Sequence, residues 1–151
     1  MNYREWEESV PPTIKGDMVW KMRVYRLAIS VVEIGWVDVT KLSQDQRTLK
    51  LSDQLYRALG SIGANVEEGY SRSSGKDRAR FYEYALGSAR EARGWYYKGR
   101  HVLREEVAFH RTKLLTEIVQ LLLTMIPDQL TRKIRDESPI YTLDEHEEII
   151  T

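Results

Sequence analysis

SIGANVEEGYSR, Ser61–Arg72, sits inside an amphipathic pattern yet carries Gly63, Asn65 and Gly69, with Gly60 just upstream. Each of these residues costs up to about 1 kcal/mol against alanine in a helix interior. A helix that keeps them must use them. Leu51, Leu55, Ala58, Leu59, Ile62 and Val66 make an apolar stripe, and Ser61, Asn65 and Glu68 make a polar line along its flank. Gly69 closes the pattern, where close backbone approach or a left-handed conformation costs glycine little. The stretch therefore reads as the end of a helix over 49–70, with glycines for packing and termination and polar residues for register. Ser88 and Glu91 offer a matching polar flank further along. Polar groups at a core boundary need hydrogen-bond partners, so the two lines are expected to face each other.

Three more periodic segments flank this one, over 17–37, 76–104 and 107–135, and nothing alternates with period two over a strand's length. Asp17 suits an N-cap for the first, and Ser73 or Ser74 for the third with Asp77 in its first turn. Pro127 is expected to kink or break the last. The expected fold class is all-α, an up-down antiparallel four-helix bundle over 17–136. An extended or mobile N-terminal arm, 1–16, precedes it and an acidic C-terminal tail, 137–151, follows.

The apolar rows carry a further expectation. The third segment places Phe81, Ala85, Ser88, Ala92, Trp95, Gly99 and Val102 on a heptad seam of small and aromatic residues, which suits close helix approach. The first segment has two rows, Trp20, Val24, Leu27, Val31 and Ile34 against Met18, Met22, Tyr25, Ile29, Val32 and Trp36. The fourth also has two, Leu114, Ile118, Leu121 and Met125 beside Leu115, Val119, Leu122 and Ile126. One stripe per helix suffices for a monomeric bundle. The surplus points to a homo-oligomer, the alternative being that Trp6, Val10, Ile14, Ile140 and Tyr141 of the two arms cover it.

The 151 residues suit one domain, and the absence of cysteine excludes disulfides, thiolate zinc sites and cysteine nucleophiles. No signal-peptide core or run of about 18 apolar residues is present, so no membrane association is expected and the expected location is cytoplasmic. The 23 basic and 23 acidic residues cancel, but unevenly along the chain. Tyr70–Arg104 holds nine Lys or Arg against three acids, whereas Asp136–Thr151 holds six acids and no Lys or Arg. Such asymmetry suits an anionic partner; an ordinary charged helical surface is the competing reading.

Within the basic region, Arg90, Arg93, Tyr97, Arg100 and Arg104 recur at spacings of three and four, on the face expected to lie opposite the seam. Arg72 and Lys76 stand at its approach. Guanidiniums interleaved with an aromatic ring contact phosphates and stack on bases. The alternatives are a solvated arginine-rich face, or a partner for the acidic tail of a neighbouring subunit. Enzyme patterns fail on spacing. Gly69–Lys76 has five residues between its glycines and Asp77 where a phosphate loop needs Ser or Thr. Glu-x-x-His pairs are absent, and His101, His110 and His146 form no ligand cluster. Glu67, Glu68 and Glu91 read as structural. No catalytic residue, metal or cofactor is assigned, and a non-enzymatic protein is expected.

QLYRALGSIGANVEEGYSR followed by FYEYALGSAREARGW resembles the four-helix-bundle family of proteins encoded in 23S rRNA intervening sequences. The resemblance spans about 19–102 and rests on Ser61, Ile62, Asn65, Val66, Glu68, Gly69, Arg72, Phe81, Gly87, Ser88 and Glu91. That family is similar in fold to the accessory variability determinant of diversity-generating retroelements, a pentameric barrel that binds nucleic acid and a reverse transcriptase. The resemblance implies a homopentamer with RNA or DNA, or a reverse transcriptase, as partner. The acidic tail departs from the strongly basic accessory proteins. The function expected is a non-enzymatic, oligomeric nucleic-acid-binding or ribonucleoprotein accessory factor. The alternative is a protein scaffold, for a reverse transcriptase for example, without direct nucleic-acid contact.

Overall fold

A computed structural model describes residues 1–131; the tail expected over 137–151, with Ile140, Tyr141 and His146, lies outside the described residues. The described chain is all-α. Two short helices, α1 (Tyr3–Ser9) and α2 (Pro12–Lys15), lead through a 3₁₀ turn at Met18–Lys21 into α3 (Arg23–Ser43). The helices α4 (Leu49–Tyr70), α5 (Gly75–Lys98), α6 (Arg100–Leu103) and α7 (Glu105–Thr131) follow. The long helices pack side by side, α4 against α3 and α5, and α7 against α5 and α3. Among the described residues, no helix is long and apolar enough to cross a membrane.

The N-terminal residues are not the extended arm expected of them. Asn2 and Glu5 form a reciprocal capping box that starts α1, with Asn2 Oδ1 accepting from the Glu5 amide at 2.9 Å and Glu5 Oε2 from the Asn2 amide at 3.0 Å. Trp6 is buried with its ring 6.0 Å from that of Trp20, and Val10 is buried too. Asp17 caps the 3₁₀ turn through the Val19 amide and not the long helix, which begins at Arg23. That helix also outruns the expected end at Val37, because Asp38 and Leu42 both turn inward, at 2% and 0% exposure.

Helix α4 occupies the expected 49–70, and Ser74 caps α5 by accepting from the Asp77 amide at 3.2 Å. Helix α5 stops at Lys98, short of the expected 104. Gly99 lies against Leu42 there, where a Cβ would come within 3.0 Å of the leucine Cδ2. Arg104 then holds φ 81° and ψ 150° between α6 and α7. Pro127 lies within α7 and does not end it, since Ile126 and Gln129 on either side are buried and anchor that turn.

Two packing expectations are corrected. The buried seam of α5 is Tyr82, Ala85, Ala89, Ala92 and Tyr96, continued by Gly99 and by Leu103 of α6, with Phe81, Ser88, Trp95 and Val102 of α6 only half-buried beside it. Its axis is turned about one residue from the expected one. The second row of α7 is not surplus either: Leu114, Ile118 and Met125 are buried within the chain, as are Leu115, Val119, Leu122 and Ile126. On α3 the large apolar residues left exposed are Trp36 (62%) and Val37 (56%).

The glycines of the opening stretch divide by use. A Cβ on Gly69 would stand 2.6 Å from Tyr82 Cε1, and one on Gly63 would stand 3.2 Å from Ile29 Cδ1, so both permit close helix approach. Gly69 takes no positive φ. Close packing is therefore what it supplies.

Candidate nucleic-acid interface

The two polar lines do not bond across α4 and α5. Asn65 Nδ2 donates to the Ser61 carbonyl at 2.8 Å, Glu68 pairs with Arg72 at 3.0 Å, and Glu91 accepts from Trp95 Nε1 at 3.2 Å. Each of these bonds runs along or just past its own helix. Ser88 is half-buried beside the seam. What meets across the two helices is Gly69 and the rings of Phe81 and Tyr82.

The arginine row is split by the turned seam. Arg93 is half-buried and donates from Nη1 to the Thr116 hydroxyl of α7 at 3.1 Å, so the row borders the α5–α7 junction and does not lie opposite the core. Arg90 and Tyr97 on that border are exposed. Arg100 lies with its guanidinium 4.0 Å from the Tyr97 ring centre and donates to the Tyr97 carbonyl at 2.9 Å. Arg104 is exposed. At 100° per residue the true outer face of α5 carries Arg80, Tyr84, Glu91 and Lys98, all exposed.

A second cluster forms at the α4–α5 turn. The guanidiniums of Arg72 and Arg80 lie 4.7 and 5.4 Å from the centre of the Phe81 ring, which in turn meets Tyr84 edge-on at 5.7 Å. Lys98 Nζ sits 4.5 Å from the Trp95 ring. Along α5 and its approach, cations therefore cover three aromatic rings. Sequence spacing did not single out Arg80, Phe81 or Lys98 as site residues, although i,i+3 and i,i+1 cation–aromatic neighbours were visible. Arg72 is paired with Glu68, and Arg80 lies 3.8 Å from Asp77; both pairs are exposed. Such pairs contribute little and exchange readily for other anions. Among the described residues, no carboxylate lies within ion-pair distance of Lys76, Arg90, Lys98, Arg100 or Arg104.

A buried polar cluster went unread in the sequence. Asp38 of α3 accepts from Tyr96 of α5 and Arg111 of α7, and Arg111 Nη1 lies 2.7 Å from His110 Nδ1. Burial, then the Asp38 charge, pushes the Tyr96 phenol well above its usual range. The signal available was Asp38 one turn before Leu42, a carboxylate within an apolar row. Its place between three helices makes it a structural tie.

The family model of the 23S rRNA-intervening sequence proteins matches residues 20–124. A crystal structure of a protein of unknown function from the S23 ribosomal protein family of Bacteroides thetaiotaomicron is similar, with a TM-score of 0.64 and 25% identity. The match covers 68% of this chain and 97% of that one. No curated protein matches the sequence. The matched span runs from Trp20 through the glycine-bearing α4 and the cation-covered α5 to Thr124, and on that match the chain belongs to the 23S rRNA-intervening sequence protein family.

Proposed function

We propose that the protein is a non-enzymatic accessory factor that binds single-stranded nucleic acid along α5 and the α4–α5 turn. The observation that carries this reading is the set of cations resting on rings: Arg72 and Arg80 on Phe81, Lys98 on Trp95, and Arg100 on Tyr97. A cation held over a ring places charge beside an aromatic face, so that a base can stack on the ring while the neighbouring phosphate meets the charge. Backbone contacts of this kind carry little sequence preference. Assembly as a homo-oligomer, with five copies on the retroelement analogy, would repeat the surface and let weak contacts act together.

Polarisation of a fluorescein-labelled oligouridylate, titrated at low and physiological salt, tests the reading. Changing Arg72, Arg80, Lys98 and Arg100 to Ser should reduce the slope of log affinity against log salt by about 3, at roughly 0.7 for each lost phosphate. Absence of binding by the unaltered protein at low salt would overturn it.

A second reading is supported by a different surface. Trp36 and Tyr56 stack edge-on at 5.9 Å on the outside of α3 and α4, with Val37 exposed beside them. An exposed aromatic pair suits a protein partner, either a second copy or a polymerase such as a reverse transcriptase. Trp36→Ser should then abolish self-association in light scattering, or capture of that polymerase, with the salt dependence of nucleic-acid binding unchanged.

A further inference from the structure

Helix α1 does not seal against the bundle. Between it and helices α3 and α7 a recess of about 300 Å³ opens to solvent. Packed interiors leave few voids larger than a water molecule, and this one has the volume of about ten waters. Small-molecule sites begin at about this size. Tyr3 and Trp6 stand on the α1 side with ring centres 5.3 Å apart, and Leu27 and Ile34 of α3 and Leu114 of α7 complete the apolar wall. Trp6, Leu27 and Leu114 are buried and form the floor.

The polar groups of the recess divide sharply. Ser30 is buried and donates to the Leu27 carbonyl at 2.8 Å, so it asks nothing of a ligand. Arg111 spends Nε and Nη2 on Asp38, at 2.8 and 3.3 Å, and Nη1 on His110 Nδ1 at 2.7 Å. Its charge is answered inside the fold. Glu33 is different. It lines the recess, is exposed, and among the described residues has no Lys or Arg within ion-pair distance. The residues three and four away on α3 are Ile29, Ser30, Trp36 and Val37, so the helix itself supplies no cation. The recess therefore offers an apolar, partly aromatic interior and one uncompensated negative charge.

We propose that this recess binds a small organic ammonium ion with an apolar body of about ten non-hydrogen atoms. The body fills the space among Tyr3, Trp6, Leu27, Ile34 and Leu114, and the ammonium group meets Glu33. The electron-rich faces of Tyr3 and Trp6 favour the same sign of charge. Tyr3 and Trp6 precede the span over which the family model matches, residues 20–124, so the site belongs to this chain's own N-terminal helix and is separate from the nucleic-acid surface of α5.

Three probes of one shape and different charge test the proposal on the full chain: phenethylamine, phenethyl alcohol and phenylacetate, titrated by calorimetry. The amine should bind in the millimolar range or tighter. Its affinity should exceed that of the alcohol about three- to five-fold and that of the acid about ten-fold, since an ion pair at a solvent-facing carboxylate contributes modestly. Glu33→Gln, at an exposed position, should bring the amine down to the affinity of the alcohol and leave the alcohol unchanged. Glu83→Gln, an exposed carboxylate of α5, should change none of the three. In methyl-resolved spectra the amine should shift the signals of Leu27, Ile34 and Leu114. No binding of the amine at about 10 mM overturns the proposal. An amine no tighter than the alcohol overturns it, as does a preference that survives Glu33→Gln or is lost equally in Glu83→Gln. Methyl shifts confined to residues away from the recess overturn it too.

Discussion

The hydroxyl of Tyr96 donates a 2.8 Å hydrogen bond to Asp38, a carboxylate 2% exposed, and so ties α5 to α3 inside the core. Arg111 of α7 donates to the same group from Nε at 2.8 Å and from Nη2 at 3.3 Å. Three long helices thus share one charge. Burying an ion is tolerated only where its lone pairs are met, and here three donors meet them.

Removing the shared acceptor is the sharpest test of that tie. Asp38→Ala leaves the Arg111 guanidinium and the Tyr96 hydroxyl without their acceptor. Breaking a fully buried pair costs about 3–5 kcal/mol. Arg111 keeps 21% side-chain exposure, so about 3 kcal/mol is expected in urea unfolding. Tyr96→Phe loses one donor and should cost about 1–2 kcal/mol. Equal losses for the two variants would contradict a shared acceptor.

Alkaline pH should destabilise the fold. Burial raises the Tyr3 phenol to about 12, aided by Glu7. Burial likewise pushes Tyr25 up, with its bond to Glu67 adding to the effect, and Tyr96 up, with Asp38 adding. Unfolded tyrosines lose their protons near pH 10, while the folded ones hold theirs. The folded state then binds more protons, so stability is intact below about pH 10 and falls as pH rises beyond it. Unfolding titrations between about pH 8 and 11 should show that fall, and Tyr25→Phe or Tyr96→Phe should make it shallower.

The glycines of SIGANVEEGYSR and its approach should respond with opposite signs. Gly69→Ala drives a Cβ to 2.6 Å from the ring of Tyr82, which is 0% exposed and has nowhere to retreat. A loss of about 1–3 kcal/mol is expected. Gly60→Ala meets nothing within 4 Å and should gain about 0.5–1 kcal/mol from helix propensity. Melting temperatures moving the same way for both would refute the packing assignment.

Arg104 occupies φ 81°, ψ 150°, a region that favours glycine. Holding a side chain there costs on the order of 1 kcal/mol or more. Arg104→Gly should therefore stabilise the fold by about that amount. If the side chain also meets a phosphate, the salt slope of nucleic-acid binding should drop by about 0.7 in the same variant. A stabilised variant with an unchanged slope would remove Arg104 from the interface.

What the sequence by itself determined is what depends on neighbours along the chain. Helix α4 runs over the expected 49–70, and Ser74 caps α5, because apolar period and cap chemistry act within a few residues. The basic excess of α5 and its approach is likewise a property of composition. The tertiary structure decided what depends on partners far away. Tyr96 belongs to the α5 seam because Asp38, 58 residues away on α3, receives its hydroxyl, a partner that spacing along α5 does not show. Arg93 leaves the exposed row because Thr116 lies opposite it. The second row of α7 is interior because α3 and α5 close over it, and Trp6 joins the core because Trp20 waits there. The placement of Arg72 and Arg80 over Phe81 needed side-chain directions that spacing does not carry. Periodicity says that a helix has an inner face, but only the helices packed against it set where that face begins.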